Sequence, residues 1–370
     1  DAIDTILRYV RKNQQPFGGI QVLFIGDLYQ LPPVVKDTEK IQLDAFYASP
    51  FFFDAKVIPS CNLINIELTK IYRQKEINFI HLLNKVRHNT LEELDYIQLN
   101  SRYNPAFSNQ ENKFITLTTH NHKADAINNT ELKKLSTSKH VFTGKLKGDF
   151  NEKQLPTELV LSLKVGAQVM FIKNDSSFEK RYYNGKIVEI TKIEEDDVYV
   201  RLNETLDEFL VPTETWENIS YELNKETNAI EEKIVGQFIQ LPLRLAWAIT
   251  IHKSQGLTFE NAIIDAGNSF SPGQVYVALS RGTSLEGIVL QTPIHSHAIS
   301  TDARIAAFDA IETDLTVLQQ QLTTDNFRYE TQKIITLFSW QPIVDIMVQF
   351  YELTRSNKSL PFLENASAMC

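Results

Sequence analysis

The sequence predicts an α/β protein with an inserted antiparallel β module and a helical C-terminal extension. Three observations carry this. First, apolar β-type runs at 20–26 (IQVLFIG), 61–68 (CNLINIEL) and 114–120 (FITLTTH) alternate with helix-periodic segments at 2–12, 75–88 and 122–135, the order that builds parallel sheets. Second, AQVMFIK, KIVEITKI and VYVRL are short, β-branched and separated by Asn184-Gly185 and an acidic turn at 194–197, which reads as an antiparallel meander or small barrel. Third, Ile305, Phe308, Ile311, Leu315, Leu318 and Leu322 recur at three- and four-residue steps beyond residue 300, a helical pattern.

Taken in order, the helix at 2–12 is expected to bury Ile3, Ile6, Leu7 and Val10 on one side. A PFGG loop leads into 20–26, whose unbroken apolarity predicts a strand buried on both faces. Segment 75–88 places Ile77, Ile80, Leu83, Asn84 and Arg87 at helical spacing. α/β character returns near 240 with PLRLAWAITIHKSQG and FENAIIDAG. After Pro342, Ile343, Val344, Ile346, Met347, Phe350 and Leu353 form another apolar helical segment. It fits packing on the main body or a partner helix. Internal repeats and low-complexity tracts are absent.

A chain of 370 residues is too long for one ordinary core, so two or three domains are expected. Hydrophobic content of 43% and charged content of 22% fit a globular protein. No apolar run reaches the roughly 18 residues of a membrane span, and DAIDTILRYVRK does not read as a secretion signal. The missing initiator Met reads as a fragment or a trimmed piece. Two distant cysteines, Cys61 and Cys370, argue against a disulfide framework or a cysteine-based zinc site. They read as one buried thiol and one at a frayed terminus, in an intracellular compartment (the cytoplasm, for a bacterial protein). A net charge of -9 disfavours a surface that coats nucleic acid nonspecifically, but leaves room for a narrow single-strand channel. The lysine-rich stretch 131–150 reads as a solvated face or a local basic patch.

Four blocks can carry chemistry. FIGDLYQLPPV at 24–34 ends an apolar run at a glycine and an acid, at the kind of strand end where open α/β sheets bind ligands. Asp27 suits a magnesium-water ligand and Gln30 a sensor of a terminal phosphate, or both simply cap a turn. IYRQ at 71–74 offers Arg73, whose fork matches phosphate oxygens, or which forms a surface ion pair. AITIHKSQGLTF at 248–259 gathers Thr250, His252, Lys253, Ser254, Gln255 and Gly256. Hydroxyls, one cation and a backbone-exposing glycine suit phosphates of a nucleotide or nucleic acid, although His252 alone is compatible with a core histidine. GQVYVALSRG at 273–282 delivers Arg281 at a helix end, as dipole neutraliser or as arginine finger.

In order, these blocks resemble superfamily 1 DNA helicases of the Pif/RecD-like type, over residues 1 to about 292. FGGIQVLFIGDLYQLPPV resembles motif III, LTKIYRQ motif IV, TIHKSQG motif V and GQVYVALSRG motif VI. ITLTTHNHKADAIN, LKVGAQVMFIKN and YYNGK resemble connecting segments. The resemblance implies two RecA-like domains that sandwich ATP and draw one DNA strand 5′ to 3′. It implies a remnant of the first domain at 1–60, a second domain at 61–165 and 236–300, an SH3-like β subdomain at 166–235 near the duplex fork, and a helical extension at 301–370. Gln30, Arg73 and Arg281 would act on the γ-phosphate, with Asp27 and Gly256 beside the nucleotide. Thr250, His252, Lys253, Ser254 and Gln255 would couple that site to single-stranded DNA.

The sequence departs from the family at the ATP site. No GxxxxGK[ST] occurs: Gly144-Lys145 precedes Leu146, and Gly185-Lys186 precedes Ile187. The Asp-Glu pair that holds magnesium is expected upstream of residue 1. ATP and Mg2+ are therefore cofactors of a full-length protein, and these residues alone are expected not to hydrolyse ATP. The alternative is an ATPase-dead module that binds single-stranded DNA or docks on a partner, with strand affinity indifferent to nucleotide.

Overall fold

The centre of the α/β part is a parallel sheet whose strands come from three distant stretches of chain. The computed structural model describes residues 1–109, 114–151, 155–202, 207–223, 230–311 and 315–356. It opens with helices α1 (Ala2–Arg11), α2 (Asp37–Leu43), α3 (Ile77–His88) and α4 (Glu93–Asn100), strand β1 (Ile115–Thr118) and helix α5 (Asn121–Lys134). A run of strands follows: β2 (His140–Thr143), β3 (Lys145–Gly148), β4 (Val160–Leu163), β5 (Gln168–Phe171), β6 (Ile187–Glu194), β7 (Asp197–Leu202), β8 (Glu208–Leu210), β9 (Glu214–Leu223), β10 (Ile230–Gln240) and β11 (Leu243–Leu245). The chain continues through β12 (Ala248–Thr250), β13 (Ala262–Asp265), α6 (Gln274–Leu279), β14 (Ile288–Leu290), α7 (Ala303–Asp309), α8 (Leu315–Leu337) and α9 (Gln341–Ser356).

The parallel sheet runs β12-β1-β13-β14. All four strands are buried along their length apart from small residual exposure, which is why their sequences are unbroken apolar or β-branched runs rather than alternating ones. Helices α3 and α6 pack beside it, contributing Phe79, Leu82, Val86, Val275 and Leu279 to one core. Each such side chain taken fully out of water contributes about 1.5–3 kcal/mol. A second core lies in the β-rich part, where an antiparallel sheet runs β11-β5-β6-β7-β8. Its β6–β7 hairpin turns at the acidic 194–197 segment, with Glu195 at φ 50°. Strands β9 and β10 form a long hairpin with β3 on its edge.

The structure corrects several expectations. Residues 20–26 form no strand, and Leu23 and Ile25 are 80% and 87% exposed. A parallel strand needs a ladder partner, and none is present for this run among the described residues. Segment 61–68 likewise forms no strand, with Leu68 88% exposed. Helix α1 forms as expected, but Ile3, Ile6 and Val10 are exposed and the buried residue is Asp4. The Asp4 carboxylate accepts from Arg8 and from the Phe17 backbone, pinning α1 to the following loop. On α3 the buried face is Phe79, Leu82, Leu83 and Val86, so Ile77 points to solvent. The single helical repeat expected beyond 300 is broken: α7 ends at Asp309 and α8 begins at Leu315.

Two compact units result, Asp1–Asn62 with Leu68–Asp309, and Leu63–Glu67 with the chain from Ala310 onward. The second unit contains α8 and α9, and its Phe327, Trp340 and Phe350 are exposed rather than buried. No single described helix is long and apolar enough to cross a membrane, although α8 and α9 taken together across a 47° bend reach that length and composition. Cys61 is a free, partly buried thiol. Cys370 lies outside the described residues.

Candidate nucleotide and nucleic-acid site

Helix α6 organises the site. Gly273 precedes it at φ +74°, and a Cβ there would collide with the Tyr29 and Gln30 carbonyl oxygens. Glycine therefore lets the start of the helix lie against the Asp27–Gln30 segment. Val277, Ala278 and Leu279 are completely buried and fix the rotation of α6. That rotation points Tyr276 at Asp27, its hydroxyl donating to Oδ2 at 3.2 Å.

Asp27 is heavily engaged. It also accepts the Tyr29 backbone N–H at 3.1 Å and the Gln30 amide at 3.2 Å, and pairs with Arg87 at 3.7 Å. Arg87 lies over the Tyr29 ring, 4.5 Å from its centroid. Burial, and then the Asp27 carboxylate, push the Tyr276 phenol up to about 12, so it stays a neutral donor at ordinary pH. Gln30 is reached from the other side by the Gln255 amide, which donates to its Oε1 at 3.4 Å.

Two arginines meet at the far end of α6. Arg73 donates from Nε to Thr258 Oγ1 at 2.8 Å and from one terminal nitrogen to the Ser280 carbonyl at 2.9 Å. Gln74 locks this arrangement, its buried amide donating to the carbonyls of Ser280 and Gly282 at 3.1 and 2.7 Å. Arg281 is 2% exposed and donates to the Val277 and Leu257 carbonyls and to Ser280 Oγ. Burial, and then the neighbouring Arg73 cation, pull its guanidinium down to about 10. Burial also lowers Arg73. Neither guanidinium has a carboxylate in ion-pair contact among the described residues. A buried and a half-buried cation that repel each other and are held only by neutral acceptors are poised for an anion.

The 250–256 loop leaves the sheet beside this cluster. The Ile251 N–H donates to the Thr118 carbonyl at 2.9 Å, and His252–Ser254 then makes one 3-10 turn. Thr250 and Ser254 are buried, and the structure gives them a local job: Thr250 Oγ1 accepts the Lys253 N–H, and Ser254 Oγ donates to the Ile251 carbonyl. His252 and Lys253 reach outward, and Gln255 and Gly256 are exposed. The Lys253 ammonium is held below the usual lysine range by burial and then by Arg244, against the opposing pull of Asp125 and Glu158. Gly256 sits at φ +80° with open space where a side chain would be.

The architecture and these blocks agree with known proteins. A family profile described as PIF1-like helicase matches residues 1–96. The mouse ATP-dependent DNA helicase PIF1 is 33% identical over 299 residues, covering 78% of this chain and 42% of the mouse protein. The crystal structure of unliganded Pif1 from Bacteroides is 39% identical with a TM-score of 0.72, covering 84% of this chain and 71% of that one. The chain belongs to the PIF1-like helicase family. A further Bacteroides Pif1 structure, in complex with ADP-AlF3 and single-stranded DNA, is 39% identical with a TM-score of 0.64 at the same coverage.

As in its relatives, the mixed α/β fold of this PIF1-like chain is RecA-like. It spans under half the length of the mouse relative. Of the residues singled out from sequence, Gln30, Asp27 and Gln255 meet at one end of α6, and Arg73 and Arg281 at the other. Tyr276, Gln74 and Arg87 were not assigned any chemistry from sequence, although Tyr276 lies within the GQVYVALSRG block, Gln74 within IYRQ and Arg87 on the helical pattern of 75–88. Their roles depend on pairings with Asp27 and the Ser280–Gly282 turn, which spacing alone does not reveal.

Proposed function

We propose that this chain is part of an ATP-dependent 5′→3′ DNA helicase and supplies the second RecA-like half of its motor. The observation that carries the reading is the gathering of Gln30, Arg73 and Arg281 around one short helix, with one buried and one half-buried guanidinium group that no carboxylate among the described residues neutralises. This donor set fits a terminal phosphate. When bound, ATP supplies the phosphoryl group whose transfer drives movement. Gln30 hydrogen-bonds the terminal phosphate oxygens, while Arg73 and Arg281 offset developing negative charge. Gln74 and Tyr276 are positioning residues for the arginines and the Asp27–Gln30 segment.

The residues present do not fit a magnesium site. Asp27 already serves three donors and Arg87, and the described residues hold no group of three or more histidines, cysteines or acids arranged for a metal. The phosphate loop and the magnesium carboxylates belong, in this reading, to the share of the relatives' length that the chain does not span. The exposed run 20–26, with its unpaired ladder edges, fits a strand of that first domain. The 1–60 segment is assigned to it, 61–165 and 236–300 to the second RecA-like domain, 166–235 to an SH3-like subdomain near the fork, and 301–370 to a helical extension.

His252, Lys253 and Gln255, with the open backbone at Gly256, face the strand. Thr250 and Ser254 shape the turn that presents them. The hydrogen bond from Gln255 to Gln30 joins this loop directly to the phosphate sensor. In the full-length protein, Arg281→Ala is expected to abolish ATP hydrolysis and spare single-strand binding; hydrolysis near the unmutated rate would refute the finger. The 370-residue chain alone is expected to show no ATPase above background.

A further inference from the structure

Strands β12, β1 and β13 end level with one another: Thr118 pairs in register with both Thr250 and Asp265. The segments that follow them, Ile251–Lys253, Thr119–His120 and Ala266–Phe270, therefore leave the sheet along one edge. On this edge Phe270 is 65% exposed, and its ring lies 5.2 Å from that of His120. The His120 ring is in turn 5.2 Å from His122. A lone exposed phenylalanine carries no information. This one is fixed in place at the end of a row of planar groups.

Two devices fix it. The Phe270 N–H donates to Gln274 Oε1 at 3.2 Å, and Gln274 is completely buried at the start of α6. The amide nitrogen of Gln274 has no hydrogen-bond partner among the described residues, an uncommon state for a buried donor. Beside it, Thr119 Oγ1 and His120 Nδ1 lie 2.7 Å apart and set the imidazole. The acid beneath the edge is neutralised: Asp265 pairs with Lys123 at 2.7 Å and accepts from Thr118 and Thr292. No open negative charge of Asp265 meets an incoming phosphate.

We infer that Phe270, at the end of a row that continues through His120 to His122, is a stacking ledge for unpaired bases of the nucleic-acid strand where it leaves the 250–256 loop. The inference deepens the DNA reading of that loop and rests on it. Planar, preorganised faces next to a backbone-contacting turn suit single-strand binding, because every base has a π-face and stacking is tolerant of sequence. The ledge also adjoins the motor: Gln274, which holds Phe270, is the first residue of the helix whose far end delivers Arg281.

The test is fluorescence anisotropy of the 370-residue chain with labelled oligo-dT and with an abasic strand of equal length. Phe270→Ala is expected to weaken oligo-dT binding roughly five- to hundredfold. Both proteins should bind the abasic strand alike. Phe270→Trp should retain affinity, with its emission quenched by oligo-dT and not by the abasic strand. If Lys253→Ala weakens binding while Phe270→Ala leaves it unchanged, the ledge is wrong and the reading of the loop stands. If the unmutated chain binds neither strand, the reading of the loop fails, and the ledge with it. A Phe270→Ala defect of equal size on both strands would point to a surface for a protein or for the phosphate backbone, and would also overturn stacking.

Discussion

Replacing Arg281 with methionine should leave the fold as stable as before or more so, while removing the finger. Burial and the Arg73 cation bring the Arg281 guanidinium down to about 10, and a drop of that size corresponds to about 3 kcal/mol by which the surroundings disfavour the cation. Methionine has a similar length and no charge, so it relieves this cost. Against the gain stands one stranded acceptor, the Leu257 carbonyl, worth about 1–3 kcal/mol. Val277 O keeps the Ser280 hydroxyl as a donor, and Ser280 Oγ, which no longer accepts from Arg281, still makes that same bond. The difference lies between about 0 and 2 kcal/mol in favour of the variant. Urea denaturation of the 370-residue chain and of Arg281→Met measures it directly. A loss of more than about 1 kcal/mol, beyond the usual error of such extrapolations, would show that Arg281 is a structural lock rather than a charge held ready, and the argument from unneutralised cations would collapse.

Two further outcomes follow from local geometry. Gly273→Ala forces a side chain against the Tyr29 and Gln30 carbonyls at a positive φ, so it should cost more than about 1 kcal/mol; a melting temperature equal to that of the unmutated chain would mean that the 27–30 segment does not rest on α6. Asp95→Asn tests an ion pair by its pH dependence. The Lys85 ammonium, which donates to both carboxylate oxygens at 2.9 and 2.8 Å, holds Asp95 below the ordinary aspartate range. A depressed folded-state pKa stabilises above the unfolded value of about 4 and is lost as pH falls through the folded value. The variant should therefore melt lower than its parent at pH 7 and coincide with it near pH 2; a gap that persists in acid would assign the effect to packing.

What could be read from sequence divides along a physical line. Segments 114–120 and 248–250 were legible because a strand buried on both faces inside its own sheet leaves an unbroken apolar record, and the structure supplies its neighbours. Segment 20–26 has the same record and no neighbour: apolarity states that a surface demands cover, and is silent on which residues supply it. The exposed Ile3, Ile6 and Val10 of α1 make the same point. In the site, Arg73 stands in the loop before α3, and the position of Arg281 beside small residues at a helix end was legible. The hydroxyls were not, because Thr250 and Ser254 bind their own backbone in the turn, and a short hydroxyl serves a neighbouring peptide as readily as a phosphate. Tyr276 and Gln74 form the deeper case. Each acts through a partner some two hundred or more positions away, and no periodicity encodes such a pair. The consequence concerns coupling rather than recognition. Gln255 donates to Gln30, Gln274 holds Phe270, and Arg281 follows the C-cap Ser280 of the helix that Gln274 begins. In the proposed reading, the strand-facing and phosphate-facing groups are thus linked through single hydrogen bonds and six helical residues, a route that does not pass through the large sheets.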